Sequence, residues 1–218
     1  MTETGVIHGR FQILHLKHME YILAAKMRCK KLYIGITNPD SMHTKDSVGD
    51  INRSAKSANP LTYFERYELI RGAMKEFRVP EEEYDILPFP INCPDYLLQY
   101  VPKDAVYYMG MCDEWDEEKY RILKGLGLTV EILFRKTPEE KGITASLVRS
   151  AIATDQEWAK MVPKSVYRYI TEHDLDERIK RLEQMRIDEK DINRIKDEKI
   201  NRGNRIRTCD LTAPSRAL

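Results

Sequence analysis

The sequence predicts an α/β fold, a parallel sheet covered by helices on both faces, followed by a helical C-terminal extension. Three observations predict it. Short apolar runs of strand length recur up to residue 134, and stretches with helical spacing separate most of them. Strands that alternate with helices are joined by crossovers, and parallel strands buried on both faces read as continuous apolar runs. Beyond Lys141 the pattern turns all-helical.

In chain order, Gly5, Val6, Ile7 and His8 form a short buried strand that ends at Gly9. Leu16, Met19, Ile22, Leu23 and Met27 then fall at helical spacing and predict a helix over 16–28. Strand 32–36 follows, and after it a polar stretch over 37–60 rich in Ser, Asn, Asp and Lys. A connection that long in a compact domain is usually functional. Tyr63, Tyr67, Ile70, Met74 and Phe77 lie on one stripe of a helix over 61–77. Strands are expected at 84–89, 105–109 and 128–134, with a helix over 114–124 closed by Gly125 and Gly127. Helices are expected over 144–153 and 163–171, the second with Pro163 at its first position. A charged helix over 174–200 carries only a thin apolar stripe, Leu175, Ile179 and Leu182. Residues 201–218 show no period and read as a disordered tail. The expected division is therefore a domain over 1–173, a charged helical extension over 174–200, and the tail.

The 218 residues suit one domain with a small extension. A net charge of +1 gives no bulk pull toward nucleic acid. No apolar run has the length of a membrane helix and the N-terminus lacks a signal-peptide pattern, so a cytoplasmic protein with no membrane partner is expected. Cys29, Cys93, Cys112 and Cys209 form no CxxC pair, which reads as reduced thiols and no protein-bound metal.

The chemistry is concentrated in Gly9-Arg10-Phe11-Gln12-Ile13-Leu14-His15-Leu16-Lys17-His18. Ligands of open parallel sheets bind at the carboxyl ends of strands. Gly9 stands there, where the backbone turns sharply and can approach a ligand. His15 and His18 open the next helix on one face, beside its unpaired N–H groups and positive dipole end. Arg10 adds a charge suited to phosphate. Together these features describe a site for a polyanion. Two histidines in one turn are often only surface residues; the strand, glycine, arginine and aromatic before them favour the site. No third ligand follows at a zinc spacing.

Gly9-Arg10-Phe11-Gln12 with His15 and His18 resembles the nucleotide-binding signature of the HxxH nucleotidylyltransferases, and within them the archaeal-type nicotinamide mononucleotide adenylyltransferases. Ile13 stands where that family usually has Pro, and Lys17 where it usually has Gly. A second segment, Ile143-Thr144-Ala145-Ser146-Leu147-Val148-Arg149, reads from its residues as a capped helix start with an arginine one turn in. It resembles the superfamily's Ile-Ser-Gly-Thr/Ser-x-x-Arg, with Ala145 in place of Gly. Asn59-Pro60-Leu61-Thr62-Tyr63-Phe64-Glu65-Arg66 and Val162-Pro163-Lys164-Ser165-Val166 extend the likeness to roughly residues 4–185.

The resemblance implies a Rossmann-like fold and transfer of a nucleoside monophosphate from ATP or CTP to a phosphate-bearing acceptor, with release of pyrophosphate. It implies His15, His18 and Arg149 as catalytic residues. Gly9, Arg10, Phe11, Gln12, Lys17, Thr144 and Ser146 would bind the nucleotide. Mg²⁺ would be bound through the triphosphate, and homo-oligomers are common in the superfamily. The flanking motifs favour adenylyl transfer to nicotinamide or nicotinate mononucleotide, a step of NAD biosynthesis. The alternative is cytidylyl transfer to a small phosphonate or phosphate ester, and a third reading is a nucleotide-binding regulator. The stretch from Pro90 to Tyr96 lacks the family's Trp, and its Ser-Gly-Asn is replaced by Met109-Gly110-Met111-Cys112-Asp113. Asn92, Tyr96 and Arg66, with Lys45 and Arg53 from a lid-like loop that also carries His43 and Lys56, are the expected acceptor contacts. Trp115 and Trp158 read as packing residues.

Overall fold

The computed structural model describes residues 1–39 and 56–188. Five parallel strands form one sheet in the order β3-β2-β1-β4-β5. They are β1 (Thr2–Gly9), β2 (Cys29–Thr37), β3 (Tyr84–Phe89), β4 (Val106–Met111) and β5 (Thr129–Arg135). The helices are α1 (Leu16–Lys26), α2 (Tyr63–Glu76), α3 (Pro94–Leu97), α4 (Glu114–Gly125), α5 (Ala145–Ala153) and α6 (Lys164–Glu172), and residues 175–188 are helical again. This is the Rossmann-like arrangement the sequence predicts. β1 starts before the apolar run because Thr2 and Thr4 pair with Cys29 and Lys31 at the edge of the core. The short α3 falls in a stretch that had carried no helical pattern.

Alternation along β1 divides the core. Ile7 faces one side with Leu32, Ile34 and Ile36, covered by Met19 and Ile22 of α1, Leu69 and Ile70 of α2, Val148 and Ile152 of α5, and Val166 and Ile170 of α6. Val6 faces the other with Phe89, Tyr107 and Met109, covered by Leu97 of α3 and Leu123 of α4. Leu175 and Ile179 from the C-terminal helix are buried in the first of these two faces. Ion pairs from Arg178 to Glu65 (2.5 Å) and from Lys180 to Asp155 (2.7 Å) fasten the same helix. The charged extension is thus packed on the domain as far as residue 188; the expected disordered tail, and the rest of the predicted helix, lie outside the described residues.

Two helix starts differ from expectation in an instructive way. Pro163 occupies the N-cap position of α6 rather than its first turn. The Glu76 carboxylate, from the end of α2, accepts from the Lys164 and Ser165 N–H groups at 3.1 and 2.7 Å and supplies the cap that Pro163 lacks. At α2, Thr62 and Glu65 form a reciprocal capping box. No helix among the described residues is long and apolar enough to cross a membrane.

Candidate active site

A cavity of about 590 Å³ opens along the carboxyl ends of the strands. Both α1 and α5 point their N-termini into it, through His15, Lys17 and His18 on one side and Thr144, Ala145 and Ser146 on the other. Two positive helix ends facing one space attract a polyanion more strongly than either alone.

His15 caps α1 in an unusual way. Its side chain accepts from the His18 N–H while the His18 Nδ1 accepts from the His15 N–H, each at 3.4 Å. The rings stack with centroids 3.7 Å apart and planes 21° from parallel. An Nδ1 that accepts carries no proton, so each neutral ring keeps its proton on Nε2. Burial lowers the His15 pKa to about 4. Burial lowers that of His18 well below its ordinary value, helped by His15 and Arg10, with the Ile13 carbonyl working the other way. At neutral pH the pair is therefore two uncharged N–H donors held in register, one helix turn apart.

The residues around the pair act mostly as its support. An added Cβ on Gly9 would come within 2.8 Å of the Phe11 ring, and Gly9, Phe11 and Gln12 all line the cavity. Phe11, at φ 52°, is fully buried and meets His18 edge-on, with centroids 5.1 Å apart. The Gln12 amide pairs with the backbone of Leu61, donating to its carbonyl (2.8 Å) and accepting from its N–H (2.9 Å). Arg10 lines the cavity, as does Lys17, whose exposed ion pair with Glu20 (2.7 Å) is weak enough to yield to phosphate. Thr144 caps α5 by accepting from the Leu147 N–H at 3.2 Å.

Arg149 lies behind the wall. It is 5 % exposed, donates to the Gln12 carbonyl and to Ser146 Oγ, and does not line the cavity. In this unliganded arrangement it links the turn before α1 to the start of α5.

The expected acceptor residues divide. Asn92 lines the cavity and donates to Asn38 Oδ1 at 2.9 Å, joining the ends of β3 and β2. Tyr96 is 60 % exposed and away from it. Arg66 is 2 % exposed and donates to four backbone carbonyls, those of Thr62, Arg10, Thr37 and Asn38. It ties β1 and β2 to α2 and does not line the cavity. Lys45 and Arg53 lie outside the described residues, with the rest of 40–55.

Several lining residues went unnoticed in the sequence. His8, 6 % exposed, stacks flat on Phe89 at 4.6 Å, and its Nδ1 makes no hydrogen bond. Gly35 permits this, since a Cβ there would meet the Phe89 ring at 2.5 Å. Lys119 lines the same compartment, paired with Asp116 at 2.6 Å, and the other Asp116 oxygen accepts from the Cys112 N–H at 2.9 Å. Trp115, read as a packing residue, does both: it packs against the second core and lines the cavity. Trp158 packs on Tyr167 as expected. Among the described residues no group of three or more His, Cys, Asp or Glu side chains is arranged to hold a metal.

The cytidylyltransferase-like family matches the chain over residues 6–151. A phosphonoformate cytidylyltransferase of Streptomyces viridochromogenes is 43 % identical over 177 residues, which is 81 % of this chain and 95 % of the relative. A nicotinamide-nucleotide adenylyltransferase of Saccharolobus solfataricus is 29 % identical over 183 residues, 82 % of this chain and 95 % of the relative. Among solved structures, a bifunctional NMN adenylyltransferase/ADP ribose pyrophosphatase from Francisella tularensis, complexed with AMP and a manganese ion, superposes with a TM-score of 0.64 at 15 % identity. That match covers 88 % of this chain and 56 % of the other, a likeness of fold alone.

Proposed function

The chain belongs to the cytidylyltransferase-like family and is a nucleotidyltransferase, and we propose that it transfers a cytidylyl group from CTP to a small acid bearing a phosphonate or phosphate. The observation that carries the reading is the reciprocally capped His15–His18 pair, set between two helix N-termini. An acceptor oxygen, already ionised, bonds to the α-phosphorus of the triphosphate. The bond from that phosphorus to the bridging oxygen breaks, and the electron pair leaves with pyrophosphate. Such a transfer needs alignment and charge neutralisation, not a protein nucleophile. The two Nε2–H groups donate to the oxygens that gain charge. Arg10, Lys17 and the N–H groups at the starts of α1 and α5 hold the rest of the triphosphate.

Mg²⁺ fits this arrangement as a companion of the nucleotide. Of the cavity carboxylates, Glu20 and Asp116 are engaged by Lys17 and Lys119 and Asp113 accepts from the Asp116 N–H as the cap of α4, so the ion would be held mainly by phosphate oxygens and would offset their charge. Greater identity to the phosphonoformate enzyme than to the nicotinamide-nucleotide enzymes supports CTP and a small acceptor. So do the outward position of Tyr96 and the absence of a Trp between Pro90 and Tyr96. Adenylyl transfer to a nicotinamide nucleotide is the second reading, favoured by the archaeal relatives.

Pyrophosphate release separates the two. With Mg²⁺ present, CTP and phosphonoformate or another small phosphonate are expected to turn over at least tenfold faster, in kcat/KM, than ATP and nicotinamide mononucleotide, a discrimination of about 1.4 kcal/mol or more. Turnover confined to ATP and the mononucleotide would reverse the assignment. Nucleotide binding without turnover of any pair would favour a regulator.

A further inference from the structure

The cavity runs over the carboxyl edge of the sheet and has two halves. On the α1 side lie the two helix N-termini and the histidine pair. On the α4 side it is lined by His8, Ile91, Met109, Trp115 and Lys119. The phosphate-binding groups are gathered in the first half, so the second faces the other end of the α-phosphorus. Attacking and leaving oxygens lie roughly in line in such a transfer, which brings the acceptor in from the α4 side. Two polar groups interrupt the apolar wall there. His8 is 6 % exposed, its ring lies flat on Phe89, and its Nδ1 makes no hydrogen bond. Lys119 stands beside it: burial holds the His8 pKa well below its ordinary value, and the Lys119 ammonium lowers it further. The carboxylates nearby are already engaged. Asp116 pairs with Lys119 at 2.6 Å and accepts from the Cys112 N–H at 2.9 Å, and Asp113 accepts from the Asp116 N–H at 3.0 Å. An ammonium has three donors, so its pairing with Asp116 leaves capacity for a ligand. A buried imidazole nitrogen without a partner, beside a half-buried cation, is costly unless a ligand meets both.

We propose that His8 and Lys119 form a specificity subsite for a carboxylate that the acceptor carries beside its attacking phosphonate or phosphate. The carboxylate accepts from Lys119 Nζ and from His8 Nδ1, with the His8 ring neutral. Asp116 holds the ammonium in place and Phe89 holds the imidazole plane. The subsite selects a carboxylate over an uncharged amide of the same shape, because the amide brings no counter-charge and turns N–H groups toward donors. The inference rests on the reading of the cavity as a site of nucleotidyl transfer. A carboxylate reaches such a site on a carboxyphosphonate with CTP, or on nicotinate mononucleotide with ATP, and the test separates the two.

Each source has an amide of matching shape: carbamoylphosphonate for phosphonoformate, and nicotinamide mononucleotide for nicotinate mononucleotide. Pyrophosphate release by the full chain is measured with all four, using MgCTP for the phosphonates and MgATP for the mononucleotides. The wild type is expected to prefer phosphonoformate over its amide at least about thirtyfold in kcat/KM. Lys119→Met is expected to lower this ratio to about threefold or less, mainly through the acceptor KM. Lys119→Met/Asp116→Asn, which leaves no carboxylate unpaired, should do the same and decides the matter if the single variant folds poorly. His8→Phe, which keeps the flat packing on Phe89, should lower the ratio about tenfold, and Lys119→Arg should recover part of the preference. A merely structural defect slows both acceptors together and does not move the ratio. In the ternary complex with α,β-methylene-CTP and Mg²⁺, which cannot react, phosphonoformate should shift the His8 ring ¹⁵N resonances more than its amide does. A wild type that uses acid and amide equally well, or variants that keep the wild-type ratio, would overturn the subsite and leave the CTP reading standing. Turnover confined to ATP would sink the CTP reading, and the ratio of nicotinate to nicotinamide mononucleotide would then decide the subsite by the same criterion. Silence with all four acceptors would overturn both.

Discussion

His18→Ala is expected to lower kcat by about 10²–10³-fold, the range seen when a donor to a developing charge is removed. The fold should survive, because His18 sits in the first turn of α1, where Met19 and Ile22 carry the burial. The substitution has a second consequence. It removes the acceptor for the His15 N–H and the stacking partner of the His15 ring, so His15 is freed to rotate. Both donors are then degraded, and His15→Ala/His18→Ala should be little slower than His18→Ala alone. Pre-steady-state pyrophosphate release at saturating MgCTP measures this. A kcat within threefold of wild type in His18→Ala would remove the pair from the chemistry.

Arg66→Ala is expected to cost about 3 kcal/mol of stability, since it strips the donor from four carbonyls that converge beneath α2. For a chain of this size that corresponds to a melting temperature lower by about 6–12 °C. Arg66→Lys should recover little, because one ammonium cannot reproduce a planar fork that reaches four acceptors. Burial lowers the Arg66 pKa to about 10. If Arg66 instead bound the acceptor, Arg66→Ala would raise the acceptor KM with an unchanged melting temperature. Thermal unfolding beside acceptor titration tells the two apart.

That residue also shows where reading the sequence succeeds and where it stops. Periodicity reveals which stretches are strands and helices, because burial on two faces of a sheet leaves a repeating apolar signal. Val6, Ile7 and Ile34 are such residues. The opening of α1 was equally legible, since His15 and His18 at three-residue spacing on a helix start already imply one face. Partner identity was not legible. A sequence displays the charge of Arg66 but not the carbonyls that surround it: within the motif from Asn59 to Arg66, Leu61 receives Gln12, Thr62 and Glu65 cap α2, and Arg66 gathers strand ends. Phe11 and Gln12 line the cavity and also support it, through the His18 ring and the Leu61 backbone.

His8 was hidden for the opposite reason. As the polar end of an apolar strand it read as core, and only the alternation along β1 places it on the α4 side, against Phe89 and near Lys119. Lys119 and Asp116 looked like ordinary helix-surface charges three residues apart. The sheet order turns that face of α4 toward the cavity.

The claim on which the rest depends is that His15 and His18 are neutral, Nε2-protonated donors aimed at a triphosphate. Two-bond ¹H–¹⁵N correlation spectra of the histidine rings read tautomer and charge directly. The expected spectra show both rings in the Nε2–H form at neutral pH. The His15 ring should remain neutral as the pH falls from 7.5 to 5, consistent with its pKa of about 4, and His18 should do the same. Adding MgCTP should shift both Nε2 resonances. Rings that are charged at neutral pH, that carry the proton on Nδ1, or that do not respond to saturating MgCTP or MgATP would contradict the account.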